Sequence, residues 1–186
     1  MAGRLENPVP ESASHRQFCR THLRFALLML IVALLAGISF QESGRKVLVT
    51  AEVPAGAHLE FILSLALVHG HLVVMGVLLP LAFTWMLHLA GVLGLGTVPP
   101  RALAWGTRLY LPGVCLTSLL MLVKGYHLVL GVRHGHTDFA ALNASFLGGS
   151  HALRVAAFGF AHALMGGGLV LLAWAFWKAL GSRQAA

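Results

Sequence analysis

Four apolar stretches dominate the chain, and each is long enough, or nearly so, to cross a lipid bilayer. They cover about residues 23–41, 60–88, 108–132 and 151–178. A hydrocarbon core about 30 Å thick requires roughly 20 helical residues. An open sheet would leave backbone groups unpaired in lipid, so the four segments are predicted to be helices. With 58% hydrophobic and only 10% charged residues, the chain is expected to be an all-α integral membrane protein.

The remaining segments predict one membrane domain preceded by a short arm. Residues 1–22 are polar and contain two prolines, which is typical of a flexible cytoplasmic arm. No convincing signal-peptidase site follows the first apolar stretch, so we expect that helix to be retained. Residues 23–180 are predicted to form a four-transmembrane-helix bundle of up-down-up-down topology with short connections.

The basic residues predict the orientation of this bundle. Eight are expected on one side of the membrane: Arg4, Arg16, Arg20, Arg24, Arg101, Arg108, Lys178 and Arg183. Four are expected on the other: Arg45, Lys46, Arg133 and Arg154. By the positive-inside rule, both termini are cytoplasmic, in the inner membrane of a bacterium. The net charge of +7 is therefore interpreted as a topology signal, and no nucleic-acid partner is expected.

Several ionisable residues interrupt the apolar stretches at similar depths. In this topology, His69 and His71 lie about 14 and 16 Å from the outer surface, and His162 lies about 18 Å from it. Lys124 lies about 13 Å deep and His127 about 9 Å. Ionisable groups at such depths are costly and usually face a bundle interior or a cavity. The sequence therefore predicts a site shared by three helices.

A non-covalent haem b with histidine ligands is the first candidate for this site. Helix bundles build cofactor sites from facing side chains, and histidine is a common haem ligand. The chain has no C-x-x-C-H motif, which excludes covalent c-type haem. Gly159 and Gly166 stand on the same helix face as His162 and would leave room for a flat macrocycle.

His69 and His71 are not expected to bind one iron together. Residues two apart point about 200° apart around a helix. The small-residue face formed with Ala66, Val73 and Gly76 favours His69 as the ligand, whereas the match in depth to His162 favours His71. We expect one to bind the haem and the other to form a hydrogen bond across the bundle or to serve a second site.

Other polar residues are assigned supporting or structural roles. Lys124 is expected to pair with a haem propionate, as Arg133 or His127 also would, and Tyr126 is expected to donate a hydrogen bond nearby. His88 is interpreted as an interface residue, and His15 and His22 as solvated arm residues. His134, His136 and His151 are interpreted as ordinary loop residues. The spacing of His134, His136 and Asp138 is nevertheless compatible with a divalent metal site.

Two other functions are compatible with the same residues. Met75 follows His71 by four residues and Met165 follows His162 by three, and thioether with imidazole suits Cu(I). The protein would then handle copper. Alternatively, Lys124 and the histidines would form the relay of a proton or ion conductor.

The motifs around these histidines resemble two groups of membrane proteins. The stretch "HGHLVVMGVLLPLAF" resembles the second helix of the haem–copper oxidase catalytic subunit, which carries a low-spin haem ligand. A wider resemblance, over residues 25–178, is to small four-helix bacterial membrane proteins of uncharacterised function. It rests on His69-Gly70-His71, "MLVKG" at 121–125, and Gly159 to Gly166 around His162. This resemblance implies that His69, His71, Lys124 and His162 act as a set.

The leading expectation is a membrane haem b protein that transfers electrons between quinol and a periplasmic partner, or binds a small gas such as nitric oxide or oxygen. Two histidine ligands would favour electron transfer, and an open iron position would favour gas chemistry. Electron transfer alone would not make the chain an enzyme, although a role in an oxidoreductase is compatible. Membrane lipid is an expected partner, and the glycine faces are compatible with a homo-oligomer.

Overall fold

The computed structural model describes residues 13–47, 55–136 and 138–181, which are mainly helical. The elements are α1 (Ala13–Lys46), α2 (Ala55–His71), a π-helical segment (Leu72–Leu78), α3 (Leu79–Val92), α4 (Pro100–Arg133), α5 (Phe139–Ser145) and α6 (His151–Gly181). Because α2, the π segment and α3 continue without a break, the described residues contain four spans long and apolar enough to cross a membrane. The predicted all-α class with four such helices is confirmed.

The first helix begins earlier than the apolar stretch, which corrects the predicted arm of residues 1–22. Its buried face recurs every three or four residues: Phe18, His22, Ala26, Met29 and Ala33. This spacing is that of one helix face packed on a core, and the face extends into the polar region. Residues 13–22 are therefore helical. His22 is completely buried, and His15 Nε2 lies 3.2 Å from the carbonyl oxygen of Val98, so neither is a solvated arm residue. Residues 1–12 lie outside the described residues.

The second span contains a π-helical segment that the sequence analysis did not predict. Within it, the N–H of Leu79 donates to the carbonyl of Val74, five residues earlier. In the same register the carbonyl of Met75 faces Pro80, which has no N–H to donate. The hydroxyl of Tyr110 in α4 donates to that carbonyl instead, at 2.6 Å. The carbonyl that Pro80 leaves without a donor in this register therefore has a side-chain partner.

Helices α4 and α6 form the closest helix pair of the structure. A Cβ added at Gly113 would meet the backbone of Met165, and one added at Gly168 would meet the backbone of Tyr110. Small residues allow helix backbones to approach in this way. The adjoining core contains Val114, Leu172 and Phe176 of this helix pair. It also includes Phe18 of α1 with Phe83 and Leu87 of α3.

Helix α2 packs on a different side of α4 from α6. Gly125 contacts Leu65 of α2, whereas Gly113 contacts α6; these two glycines point about 120° apart around α4. Two helices packed at about 9 Å from a common third helix, in directions 120° apart, have axes about 16 Å apart, too far for direct packing. A lateral groove therefore lies between α2 and α6, with α4 as its floor. Helix α1 covers the opposite flank of α2, the π segment and α3.

The connection between α4 and α6 contains the short helix α5, which docks on α4. Leu142 is buried, and a Cβ at Gly131 would collide with its side chain. The carboxylate of Asp138 accepts a hydrogen bond from the N–H of Ala141 and caps the helix.

The outward faces of the long helices carry large apolar side chains, which fits contact with lipid. Exposed examples occur on every span: Leu27, Ile31, Leu35, Leu63, Trp85, Leu119, Val155 and Val170. In a water-soluble protein so much exposed apolar surface would be unusual.

Candidate cofactor-binding groove

His71 and His162 are anchored to their helices in the same way. His71 Nδ1 lies 2.9 Å from the carbonyl oxygen of Leu67, and His162 Nδ1 lies 2.8 Å from that of Phe158. A carbonyl can only accept, so Nδ1 carries the proton, and the neutral ring keeps its lone pair on Nε2. Neither Nε2 has a hydrogen-bond partner among the described residues. Both imidazoles are therefore prepared to act as ligands.

His162 lies on the flank of α6 that faces the second span. Leu180 follows it by five helical turns and therefore lies on the same face. Leu180 lines an apolar cavity of about 140 Å³ between α6 and α3, together with Met86 and Leu89. His162 itself is exposed, because at its level α2 has diverged from α6 and the groove is open.

His69 faces α1 and not the groove. Its Nδ1 lies 2.8 Å from the carbonyl oxygen of Ala33, and a Cβ at Gly37 would lie only 3.1 Å from the ring. His71 points about 200° away around the helix, which places it on the groove side of α2. The two neighbouring histidines thus serve different interfaces.

The depths of the imidazoles can be compared along α4. The contacts between α4 and α6 place His162 level with Leu116. The contact of Leu65 with Gly125 places His71 level with Leu119, and the bond from Tyr110 to Met75 places it level with Val114. Both levels lie within about 5 Å of His162 along the helix axis. His69 lies within about 8 Å by the same contacts, so direction, and not depth, distinguishes His71 as the partner of His162.

Lys124 is a half-buried cation in the third span. Among the described residues it forms no hydrogen bond or ion pair. Charged groups inside a membrane-spanning segment are usually paired. An anionic partner for Lys124 is therefore missing from the part of the chain that the structure describes.

The other polar residues predicted around Lys124 have protein partners or lie at the surface. The hydroxyl of Tyr126 bonds to that of Ser39 in α1. His127 Nε2 lies 3.0 Å from Ser145 Oγ and 3.1 Å from the carbonyl oxygen of Leu142, so it holds α5. Arg133 is exposed at the end of α4. Of this group, only Lys124 has the features expected of a cofactor contact.

The glycines of α6 divide into two kinds. Cβ atoms added at Gly159, Gly166 or Gly167 would meet nothing within 4 Å, whereas Gly168 is pressed against Tyr110. The glycines predicted to flank a macrocycle beside His162 thus border open space. Gly168 instead has a helix-packing role.

The loop histidines lie near one another beyond the end of α4. His134, His136 and Asp138 line an open cleft of about 760 Å³, together with His127. Over residues 13–47, 55–136 and 138–181, no three histidine, cysteine, aspartate or glutamate side chains are close enough to hold a metal ion. His151 is exposed at the start of α6.

The methionines considered as copper ligands have different surroundings from their histidines. Met165 is buried in the core against α4, whereas His162 is exposed. Met75 lies in the π segment, where the spacing of one helix face no longer holds, and packs partly against the same core.

Two features of this region were missed by the sequence analysis. His22 was assigned to the arm, although the spacing from Phe18 through His22 to Ala26 continues the apolar face of α1. Tyr110 was assigned no role, and its bond to the π segment has no local sequence signal besides Pro80.

Comparisons with protein-family models, with curated proteins and with solved structures find no match to this chain. The chemistry of the groove must therefore be deduced from its own residues. Within the described part of the chain, these are two imidazoles with a free Nε2, one cation without a partner and an open surface bordered by glycines.

Proposed function

We propose that this chain is a multi-pass protein of the bacterial inner membrane that binds one haem b in the lateral groove, with His71 and His162 as axial ligands. The observation that supports this most strongly is the pair of free imidazole Nε2 atoms on two helices that border the same groove. Both termini are cytoplasmic, and the four spans form an up-down bundle.

The fit of the residues to haem is better than their fit to a bare metal ion. A haem iron needs only two axial protein ligands, because the macrocycle supplies the others. A structural or soft metal site commonly needs three or four protein ligands, and no such group is found among the described residues. The spacing of about 16 Å between the axes of α2 and α6, against 8–10 Å for direct packing, leaves room for a planar group.

The remaining groove residues support the same assignment. Lys124, with no partner among the described residues, would pair with an anionic propionate. Gly159 and Gly166 would keep the surface beside His162 flat. His69 holds α2 against α1 through Ala33 and thereby fixes the direction of the helix that carries His71.

The proposed activity is electron transfer. Bound haem supplies one-electron redox chemistry at iron, and two histidine ligands leave no open position for a gas. Within the membrane the electron donor would be a quinol, and a periplasmic protein would accept the electron. Binding of nitric oxide or oxygen would require only one of the two histidines to ligate.

Haem quantified per chain in purified histidine variants tests the proposal. His71→Ala and His162→Ala are expected to lose most haem, because each removes an axial ligand. His69→Ala is expected to keep haem with an altered potential, since its ring only holds α2 in place. His88→Ala is the matched control, because this exposed α3 residue contacts Trp85 and lies away from the groove. Full haem occupancy in His162→Ala, or copper in place of haem in the unmodified protein, would reject the assignment.

Lys124→Met tests the propionate contact in the same preparation. The unbranched side chain keeps the length and removes the charge, so haem retention is expected to fall or the potential to shift. Lys178→Met, at the other end of the bundle over Trp174, is expected to change neither. Unchanged haem content and potential in Lys124→Met would exclude the contact.

A second candidate, proton conduction, is favoured by one separate observation. Among the residues that the structure describes, four buried polar atoms lack a hydrogen-bond partner: His22 Nε2, Thr107 Oγ1, Thr117 Oγ1 and Ser118 Oγ. Buried polar groups without protein partners commonly bind internal water, and water files carry protons. Proteoliposomes loaded with a pH-sensitive dye distinguish the two functions: a proton flux that Thr117→Val abolishes would favour conduction over haem binding.

A further inference from the structure

We propose that the hydroxyl of Tyr110 selects the π register of residues 72–78 and thereby positions His71 in the lateral groove. The consequence for haem rests on the proposed function. The choice of helical register does not depend on it.

Pro80 leaves one backbone carbonyl without an N–H partner in either register. In a regular α-helix that carbonyl would belong to Gly76, four residues earlier; in the π register it belongs to Met75, five residues earlier. The structure has the π register, as the bond from the N–H of Leu79 to the carbonyl of Val74 shows. Proline alone therefore does not decide between the two.

The hydroxyl of Tyr110 favours one of the two registers. Its hydroxyl donates to the carbonyl of Met75 at 2.6 Å, and the side chain is completely buried. In the π register that carbonyl has no N–H donor and would stay unpaired without the hydroxyl, whereas in the α register it would already accept from Leu79. A buried polar group without a partner is costly, so the hydroxyl favours the π register.

The position of the hydroxyl is itself fixed by three helices. The backbone of Tyr110 lies against Gly168 of α6. The ring packs edge-on to Phe83 of α3, at 5.8 Å between centroids, and Phe83 stacks on Phe176 of α6 at 5.9 Å. Tyr110 and α3 are therefore held together on α6, so a change of register would be taken up by α2, at the expense of its contacts with α1 and α4.

Changing the register would move His71. A π turn accommodates one extra residue, so its loss rotates α2 relative to α3 by about 100°. For a helix with a Cα radius of about 2.3 Å, this rotation displaces each Cα by about 3.5 Å. His71 is the last residue of α2 and would leave the groove.

Spin-label distances test the register without any cofactor. Labels at Leu63 of α2 and Ala156 of α6, both exposed, report the span across the groove after Cys19 and Cys115 are replaced. In Tyr110→Phe we expect the Leu63–Ala156 distance to change by several ångströms, on the order of the displacement above. A reference pair, Leu119 and Ala156, reports the α4–α6 contact and is expected to stay constant.

The chain supplies a matched control and a second variant. Tyr126→Phe removes the only other tyrosine hydroxyl, which bonds to α1, and is expected to leave the Leu63–Ala156 distance unchanged. Pro80→Ala alone is expected to keep the wild-type distance, because Tyr110 still favours the π register. Pro80→Ala with Tyr110→Phe has an N–H for the carbonyl in either register, so it should fold even if Tyr110→Phe does not. It is expected to show the changed distance.

A wild-type distance in the double variant would overturn the proposal, because packing alone would then set the register. Haem content tests the proposed function, whereas the spin-label distances test the helical register, so the two proposals can fail separately. If wild-type protein binds haem, Tyr110→Phe is expected to lose most of it, as His71→Ala does, whereas Tyr126→Phe is expected to keep it. If wild-type protein binds no haem, the proposed function fails while the distances still decide the register.

Discussion

The three consecutive glycines at 166–168 show how much the role of one residue type depends on its direction. Gly168 faces α4, where a Cβ would meet the backbone of Tyr110, whereas Gly166 and Gly167 border open space. From the sequence, Gly166 was predicted to leave room for a macrocycle beside His162. Only the position of α4 separates the packing glycine from the other two.

Gly168→Ala is therefore expected to destabilise the protein strongly. Overpacking typically lowers the free energy of unfolding by about 1–3 kcal/mol. The loss is expected near the upper end of this range, because the Cβ would collide with backbone, which cannot move aside as a side chain can. Gly167→Ala is the matched control, expected to be neutral or stabilising by up to about 1 kcal/mol, since alanine favours a helix over glycine. Thermal unfolding in detergent measures both. Equal melting temperatures for the two variants would contradict the packing described for α4 and α6.

His69 and His71 show what the spacing of residues on a helix can and cannot predict. The 200° separation predicted that His69 and His71 serve different partners, and the structure places them on different flanks of α2. Which of them faces the groove depended on the position of α1. No spacing within α2 carries that information.

At the level of elements, the number and positions of the spans were predicted, whereas their ends and irregularities were not. The four apolar stretches marked the four spans, but α1 extends back to Ala13 because Phe18 and His22 continue its buried face. The π segment includes a contact between Met75 and Tyr110, residues far apart in the sequence, which we propose selects its register. Such a tertiary contact overrides local preference and cannot be deduced from periodicity.

Helix α5 is expected to depend on its cap. It has only seven residues, too few for independent stability, and Asp138 bonds to the N–H of Ala141. Asp138→Ala is expected to cost about 0.5–2 kcal/mol locally and to raise hydrogen exchange over residues 139–145. Exchange in α4 should not change, because that helix is packed on α6. Asn143→Ala serves as the control, and protection of α5 that survives Asp138→Ala would show that docking of Leu142 is sufficient.

For the whole molecule, the membrane class followed from composition, whereas the arrangement of the helices did not. Gly113 and Gly125 are both glycines in the third span, and nothing in the sequence distinguishes their roles. Gly113 contacts α6, whereas Gly125 contacts α2. The groove exists because these contacts diverge around α4. It was predicted as a meeting of histidines from three helices, and the structure places His71 and His162 on its two sides.

The orientation of the molecule gives a prediction at the same scale. Both termini are expected to be cytoplasmic and the connection at 133–150 periplasmic, because basic residues are concentrated on the terminal side. Alkaline phosphatase, which is active only in the periplasm, should be inactive when fused after Ala186 and active when inserted after Gly148. A reporter that is active after Ala186 would reverse this orientation. The histidines of the groove would then lie in the cytoplasmic half of the membrane.

The close pairing of α4 with α6 has a consequence for how the protein is made. These two spans follow α1 to α3 in the chain, and their interface of glycines and a buried tyrosine is formed almost wholly by residues after position 99. A helical hairpin that carries its own interface can assemble as soon as its second helix enters the bilayer. The N-terminal half, α1 to α3, then docks on a preformed surface. A gene divided within the connection at 93–99 should accordingly yield two fragments that reassociate in the membrane without a covalent link.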